Sequence, residues 1–220
     1  MSKLRFAKYW IITAFAIATA LGSSAQSFES ETIDGLPSFG PLVQGVDGNF
    51  YGTTWMTQTC VICSEVYRVT SEGMVSDVHD FCTPGSCADA AGESPQAGLT
   101  LGPKGDFFGT TRSGGTLTGG TVFKLTPHGE LTTLYSFCGL YNCAAGSFPT
   151  GGLVLARNGN FYGTTQFGGF YTYCVAGCGT VFEITPEGKL TTLYAFGSAI
   201  GAPDGAYPNT TLVQAVDGNL

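Results

Sequence analysis

The stretch Gly159-Asn160-Phe161-Tyr162-Gly163-Thr164-Thr165 constrains this chain more than any other, because the chain repeats it. It stands intact at Gly48-Asn49-Phe50-Tyr51-Gly52-Thr53-Thr54 and, with two substitutions, at Gly105-Asp106-Phe107-Phe108-Gly109-Thr110-Thr111. Its opening returns at Gly218-Asn219-Leu220. The first glycines fall at 48, 105, 159 and 218, so the intervals are 57, 54 and 59 residues. A motif renewed at that spacing marks a tandem-repeat fold, in which each unit buries its apolar face against its neighbours.

One repeat reads as four short strands. Leu153-Val154-Leu155-Ala156 is a short apolar strand, and Arg157-Asn158-Gly159-Asn160 turns the chain, with Asn-Gly calling for positive φ at both central residues. Asp47-Gly48 and Lys104-Gly105 fill the same turn elsewhere. Phe161-Tyr162-Gly163-Thr164-Thr165 is the second strand, rich in aromatic and β-branched residues. Gly163 inside it implies a bulge or a close approach that a Cβ would block. Residues 179–185 give a third strand with Phe182 and Ile184 on one face. Pro186-Glu187-Gly188 closes a bulged turn, and residues 190–196 give the fourth strand. The equivalent third strands are residues 65–70 and 121–126; the fourth are 74–81 and 131–137.

The expected fold is therefore all-β: tandem four-stranded antiparallel repeats in a β-propeller-like array. A β-solenoid or a row of stacked sheets is the alternative. The repeats cover about 41–94, 95–148 and 149–207, with a partial fourth at 208–220. Three full repeats and the start of another imply an incomplete ring, since rings close at about four blades or more.

Residues 1–25 look like a signal peptide: Lys3, Arg5 and Lys8 precede an apolar run at 9–21, and Ser23-Ser24-Ala25 offers a cleavage site. A polar lead, 26–40, follows. With the leader removed, six basic residues face sixteen acidic ones, a net charge of −10. That balance gives no footprint for nucleic acid or an anionic membrane, and no apolar run after the leader reaches the length of a bilayer span. The expected location is exported: extracellular, cell surface or periplasm.

All eight cysteines lie beyond the leader, in close pairs: Cys60/Cys63, Cys82/Cys87, Cys138/Cys143 and Cys174/Cys178. Cys60/Cys63 and Cys174/Cys178 share the loop after Gly-Thr-Thr; Cys82/Cys87 and Cys138/Cys143 share the loop after the fourth strand. Repeats that lack one member lack both, which points to four local disulfides. Zinc is the competing reading of Cys60-x-x-Cys63, but that spacing supplies only half of a site.

The quoted repeat elements, Gly-Asn-Phe-Tyr-Gly-Thr-Thr, then residues 179–188, then Leu-Thr-Thr-Leu-Tyr-Ala-Phe at 190–196, together resemble the GloVer-type tandem repeat of bacterial exported "choice-of-anchor" proteins. The resemblance spans about residues 41–220 and implies export, tandem β repeats and surface attachment through a C-terminal segment. It carries no catalytic residues across, and the chain shows no segment of that kind before Leu220.

No catalytic constellation is legible, and no cofactor or metal site. Asp47, Asp106, Asp217, Glu72 and Glu187 recur at turns, where turn chemistry accounts for them. His128 sits in the turn Pro127-His128-Gly129, and His79 reads as a surface or half-buried strand residue. No Gly-x-Ser-x-Gly elbow is present, and the glycine clusters near 114 and 119 lack the lysine of a phosphate loop. Trp55, Tyr141, Phe170, Tyr171 and Tyr173 lie in variable, cysteine-bearing loops and are the candidate ligand contacts. The expected role is a surface binding or interaction module whose partner is a carbohydrate or another surface protein. A polysaccharide-active propeller enzyme and a structural spacer are the alternatives. The oligomeric state is not legible.

Overall fold

The computed structural model describes residues 40–54, 64–81, 92–139, 143–169, 174–198 and 204–220. The leader, most of the lead, and Trp55, Cys60, Cys63, Cys82, Cys87, Tyr141, Phe170, Tyr171 and Tyr173 lie outside the described residues.

Three four-stranded antiparallel sheets follow one another along the chain. The first holds β1 (Val43–Gln44), β2 (Phe50–Thr54), β3 (Glu65–Val69) and β4 (Val75–Asp80), in that spatial order. The second holds β5 (Thr100–Leu101), β6 (Phe107–Thr111), β7 (Thr118–Leu125) and β8 (Leu131–Cys138). The third holds β9 (Val154–Leu155), β10 (Phe161–Thr165), β11 (Thr180–Ile184) and β12 (Leu190–Ala195). The third strand of the second sheet starts at Thr118, ahead of the expected Thr121, because β8 runs on to Cys138 and Thr118 pairs with it. No helix among the described residues is long and apolar enough to cross a membrane.

Register is the same in each sheet, and the motif glycine explains why. Gly52 faces Tyr67, Gly109 faces Phe123 and Gly163 faces Phe182. A Cβ at Gly109 would stand 2.5 Å from Phe123 Cζ, and one at Gly163 would stand 2.6 Å from Phe182 Cζ. The ring of the third strand thus lies across the bare backbone of the second. The bulge is elsewhere: pairing to the outer strand slips between Val66 and Tyr67, Val122 and Phe123, and Val181 and Phe182.

The Asn-Gly turn differs from expectation. Gly159 has φ +85°, but Asn158 is not among the residues with positive φ. Gly159 N–H donates to Ala156 C=O at 2.9 Å, and Ala156 N–H to Asn160 C=O at 3.0 Å. This is a type I turn closed by a left-handed glycine, so only the glycine position is restricted. Lys104 and Asp47 can therefore precede the glycine in the other repeats. The Pro-x-Gly turns have the expected bulged form: Gly188 N–H donates to Thr185 C=O at 2.9 Å, with Gly188 at φ +93°.

The core lies between sheets. Tyr51, Val66 and Phe81 of the first sheet pack on Phe107, Phe123 and Leu125 of the second. Phe108, Val122 and Phe137 of the second pack on Phe161, Phe182 and Ile184 of the third. Each phenylalanine of these clusters is at most 3% exposed, and burying one stabilises by roughly 1.5–3 kcal/mol before entropy is charged. The short innermost strands approach one another, β1 beside β5 and β5 beside β9. Sheets that meet at their inner strands radiate from an axis, which is the β-propeller-like arrangement.

Candidate functional site

Chain direction sorts the loops. In every blade the second strand runs toward the end where the long connections lie, the third runs back to a tight turn, and the fourth returns. The connections that carry cysteines therefore gather at one end of the array, and the Gly-x turns at the other. Two disulfides close loops at the first end, Cys138–Cys143 and Cys174–Cys178, each pairing within its own loop as the repeat register implied.

Three segments ahead of the repeat's first-strand position carry Gly-x-x-Pro: Gly92 to Pro95, Gly146 to Pro149, Gly205 to Pro208. The residue before each proline is left-handed: Ser94 at φ 57°, Phe148 at φ 56°, Tyr207 at φ 58°. A side chain in that region beside proline costs roughly 1–3 kcal/mol, and neighbouring bonds hold it there. Arg112 N–H donates to Ser94 C=O at 3.0 Å, and Gln166 N–H to Phe148 C=O at 3.0 Å. Phe148 N–H donates to Gly119 C=O, and Tyr207 N–H to Cys178 C=O, both at 2.8 Å. The same strained geometry thus recurs in three lead-ins, two residues before a lining residue of one cleft.

That cleft has a volume of about 430 Å³ and is lined by Gln96, Arg112, Thr150, Gln166 and Asn209. Two repeat positions supply all five. Arg112 and Gln166 follow Gly-Thr-Thr; Gln96, Thr150 and Asn209 follow the lead-in prolines. The Arg112 guanidinium carbon sits 5.5 Å from the Phe148 ring centroid, a cation–π distance that holds it in place. Arg112 takes part in no ion pair with a described residue; Lys124 pairs with Asp106 at the turn end, 3.5 Å apart. The Thr150 hydroxyl is buried without a hydrogen-bond partner. The five residues bring a fixed positive charge and three primary amides to the cleft, and none of the five is a carboxylate, imidazole or thiol. Such side chains can donate hydrogen bonds to an oxygen-rich ligand, and none of these five is an ordinary proton-transfer group.

The recurring threonines bond to the residue after each of Gln96, Thr150 and Asn209. Thr53 Oγ1 donates to Ala97 C=O at 3.0 Å, Thr110 Oγ1 to Gly151 C=O at 3.0 Å and Thr164 Oγ1 to Thr210 C=O at 3.2 Å. Each bond ties one blade to the lead-in of the next. The second threonine of the motif pairs within its blade: Thr111 with Thr121 and Thr165 with Thr180, both at 2.8 Å.

Asp47, Asp106 and Glu183 lie at the turn end. Glu183 accepts from Asn160 Nδ2 at 2.6 Å and Tyr162 Oη at 2.8 Å. Those bonds, Asn160 first, hold its carboxyl below the usual range. At Asp47, burial pushes the carboxyl up, but bonds from Tyr51 and Asn49 outweigh it and the net shift is downward. Burial, then the Asp47 bond, pushes the Tyr51 hydroxyl up to about 12. Asp204, in the connection after β12 at the other end, is likewise lowered, chiefly by Tyr194 Oη. These lowered carboxylates are stabilised as anions, the reverse of what a general acid requires. His79 is a half-buried strand residue whose Nδ1 lies 3.2 Å from Gly129 C=O, edge-on to Phe81; His128 is exposed in its turn.

None of the aromatic loop residues singled out from the sequence falls among the described residues, and all five cleft residues were missed. Their signal was register alone: they are the variable positions that flank the recurring Thr-Thr and Pro. Trp55 occupies the register position of Arg112 and Gln166.

A profile of the Gloeobacter/Verrucomicrobia repeat family matches residues 13–220. No curated protein sequence matches the chain. Solved structures resemble it at low identity. One is a protein designated a gluconolactonase, with TM-score 0.43 and 14% identity, over 74% of this chain and 50% of that one. Another is the tricorn protease, with TM-score 0.42 and 16% identity, over 83% of this chain and 14% of that one. A third is an endo-arabinase from Bacteroides thetaiotaomicron, with TM-score 0.41 and 15% identity, over 78% of this chain and 61% of that one. The chain spans half the length of the gluconolactonase and a smaller part of the protease. The description of the fold rests on the sheets themselves.

Proposed function

The chain belongs to the Gloeobacter/Verrucomicrobia repeat family, and on that premise we propose that it is an exported, surface-associated binding module whose ligand is a carboxylate-bearing saccharide. The observation that carries this reading is Arg112. It is held over Phe148 at the wall of a cleft whose other described groups are Gln96, Thr150, Gln166 and Asn209, with no acidic partner among the described residues. An arginine left without a carboxylate at a polar cleft favours an anionic ligand, which the planar guanidinium engages bidentately. Amide side chains suit sugar hydroxyls, and a volume of about 430 Å³ suits a small ligand. Export is supported by the two local disulfides, which persist in oxidising compartments.

The test is a panel of neutral, acidic and amino oligosaccharides titrated against the disulfide-intact chain and against Arg112→Ala. Binding confined to acidic members, and weakened about tenfold or more by Arg112→Ala, is expected, since a charge-assisted bond contributes about 1.5–3 kcal/mol. Binding unchanged by the substitution removes the cleft from the account. Turnover of a bound polysaccharide would replace binding with catalysis.

A further inference from the structure

The hydrogen bonds put the cleft residues in order. Arg112 N–H donates to Ser94 C=O, in the lead-in that carries Gln96, and Thr110 Oγ1 donates to Gly151 C=O, in the lead-in that carries Thr150. Arg112 therefore stands between Gln96 and Thr150. Gln166 N–H donates to Phe148 C=O, in the lead-in that carries Thr150, and Thr164 Oγ1 donates to Thr210 C=O, beside Asn209. Gln166 therefore stands between Thr150 and Asn209. All five line one cleft, so its wall runs Gln96, Arg112, Thr150, Gln166, Asn209.

The surroundings of Arg112 and of Gln166 are one scaffold built twice. An antiparallel bridge joins Glu93 to Ser113 beside Arg112, and another joins Ser147 to Phe167 beside Gln166. On the far side of each, Phe148 N–H donates to Gly119 C=O and Tyr207 N–H to Cys178 C=O, both at 2.8 Å, with φ 56° and 58°. The prolines that follow pack alike: a Cβ at Gly120 would stand 2.9 Å from Pro149 Cδ, and one at Gly179 would stand 2.7 Å from Pro208 Cδ. With the backbone equal, the side chain makes the difference. The guanidinium at 112 only donates and is always charged, which suits a carboxylate. The amide at 166 donates and accepts without charge, which suits hydroxyls. A carboxylate beside Gln166 would give up water without gaining a cation, since Arg112 is the one cation among the five lining residues.

We propose that the cleft takes two adjoining units of one saccharide, a carboxylate-bearing unit at Arg112 and an uncharged unit at Gln166. The residue that follows Gly-Thr-Thr is then the specificity-determining residue of each subsite. This rests on the reading of the ligand as an acidic saccharide and narrows it: the ligand class is a heterosaccharide in which acidic and neutral sugars adjoin, rather than a run of acidic units.

Titration calorimetry on the disulfide-intact chain tests this with three probes of equal length: an oligoglucuronate, a neutral oligoglucose, and an oligosaccharide in which glucuronate and glucose alternate. The alternating probe should bind about tenfold more tightly than the oligoglucuronate, the margin by which a charge-assisted bond exceeds a neutral one. Gln166→Arg should abolish that preference by tightening oligoglucuronate binding about tenfold. Equal binding of the two acidic probes by the wild type overturns the two-subsite inference and leaves the acidic-saccharide reading standing. Tightest binding of the neutral probe, or binding of none, overturns both. A preference that Gln166→Arg leaves unchanged removes Gln166 from the role assigned to it. Should Gln166→Arg lose its native near-ultraviolet circular dichroism, Gln166→Ala decides: weaker binding of the alternating probe, by about threefold or more, supports the assignment, and unchanged binding refutes it.

Discussion

Replacing Thr110 by Val keeps the side-chain shape and removes one hydroxyl. That hydroxyl is the link between the second blade and the lead-in of the third, donating to Gly151 C=O at 3.0 Å from a residue that is 1% exposed. A typical hydrogen bond contributes about 0.5–1.5 kcal/mol net, and a buried acceptor stripped of its donor costs about 1–3 kcal/mol. The expected loss is therefore about 1–3 kcal/mol, and for a chain of this size each kcal/mol lowers the melting midpoint by roughly 2–4 °C. Thr164→Val is the internal control. Its hydroxyl donates to Thr210 C=O at 3.2 Å, but Thr210 is exposed and water can replace the donor. That variant should change stability by no more than about 0.5 kcal/mol. Thermal and urea unfolding, followed by circular dichroism on both variants, give the comparison. Equal shifts for the two, or no shift for Thr110→Val, would refute the claim that the recurring threonine stitches blade to blade.

Gly109→Ala should cost about 1–3 kcal/mol in urea unfolding, because the new Cβ meets the fully buried Phe123 ring at 2.5 Å and the ring has no room to yield. Glu183 has a lowered pKa in the folded chain, so its contribution is complete above the ordinary glutamate value of about 4.3 and is lost as pH falls through the folded value. The wild-type urea midpoint should thus drop more steeply than that of Glu183→Gln between about pH 5 and pH 3. Replacing both Cys138 and Cys143 by Ser opens a loop with a sequence separation of five and should cost about 2 kcal/mol, read by the same unfolding assay.

The strands were legible because their signals are local. Alternation put Phe182 and Ile184 inside, and both are 0% exposed; Gly163 inside a strand announced the close approach of Phe182. Pairing of Cys138 with Cys143 and Cys174 with Cys178 followed from register. The turn at Asn158-Gly159 was misread because Asn-Gly also fits a type I turn, in which the asparagine stays right-handed; Lys104 at the same position was the clue. The cleft was not legible. Its residues come from positions as far apart as Gln96 and Asn209, and are brought together by bonds such as Thr110 to Gly151 that span 41 residues. Gln, Thr and Asn after a proline carry no local pattern of their own. Only the blade-to-blade register makes them one site.

The most direct measurement is a crystal structure of the disulfide-intact chain with an acidic oligosaccharide from the binding panel. The account predicts a sugar carboxylate within hydrogen-bond distance of the Arg112 guanidinium, with Gln96, Gln166 or Asn209 on the neighbouring hydroxyls. A ligand seated away from Arg112, with the five residues of the cleft untouched, would contradict it.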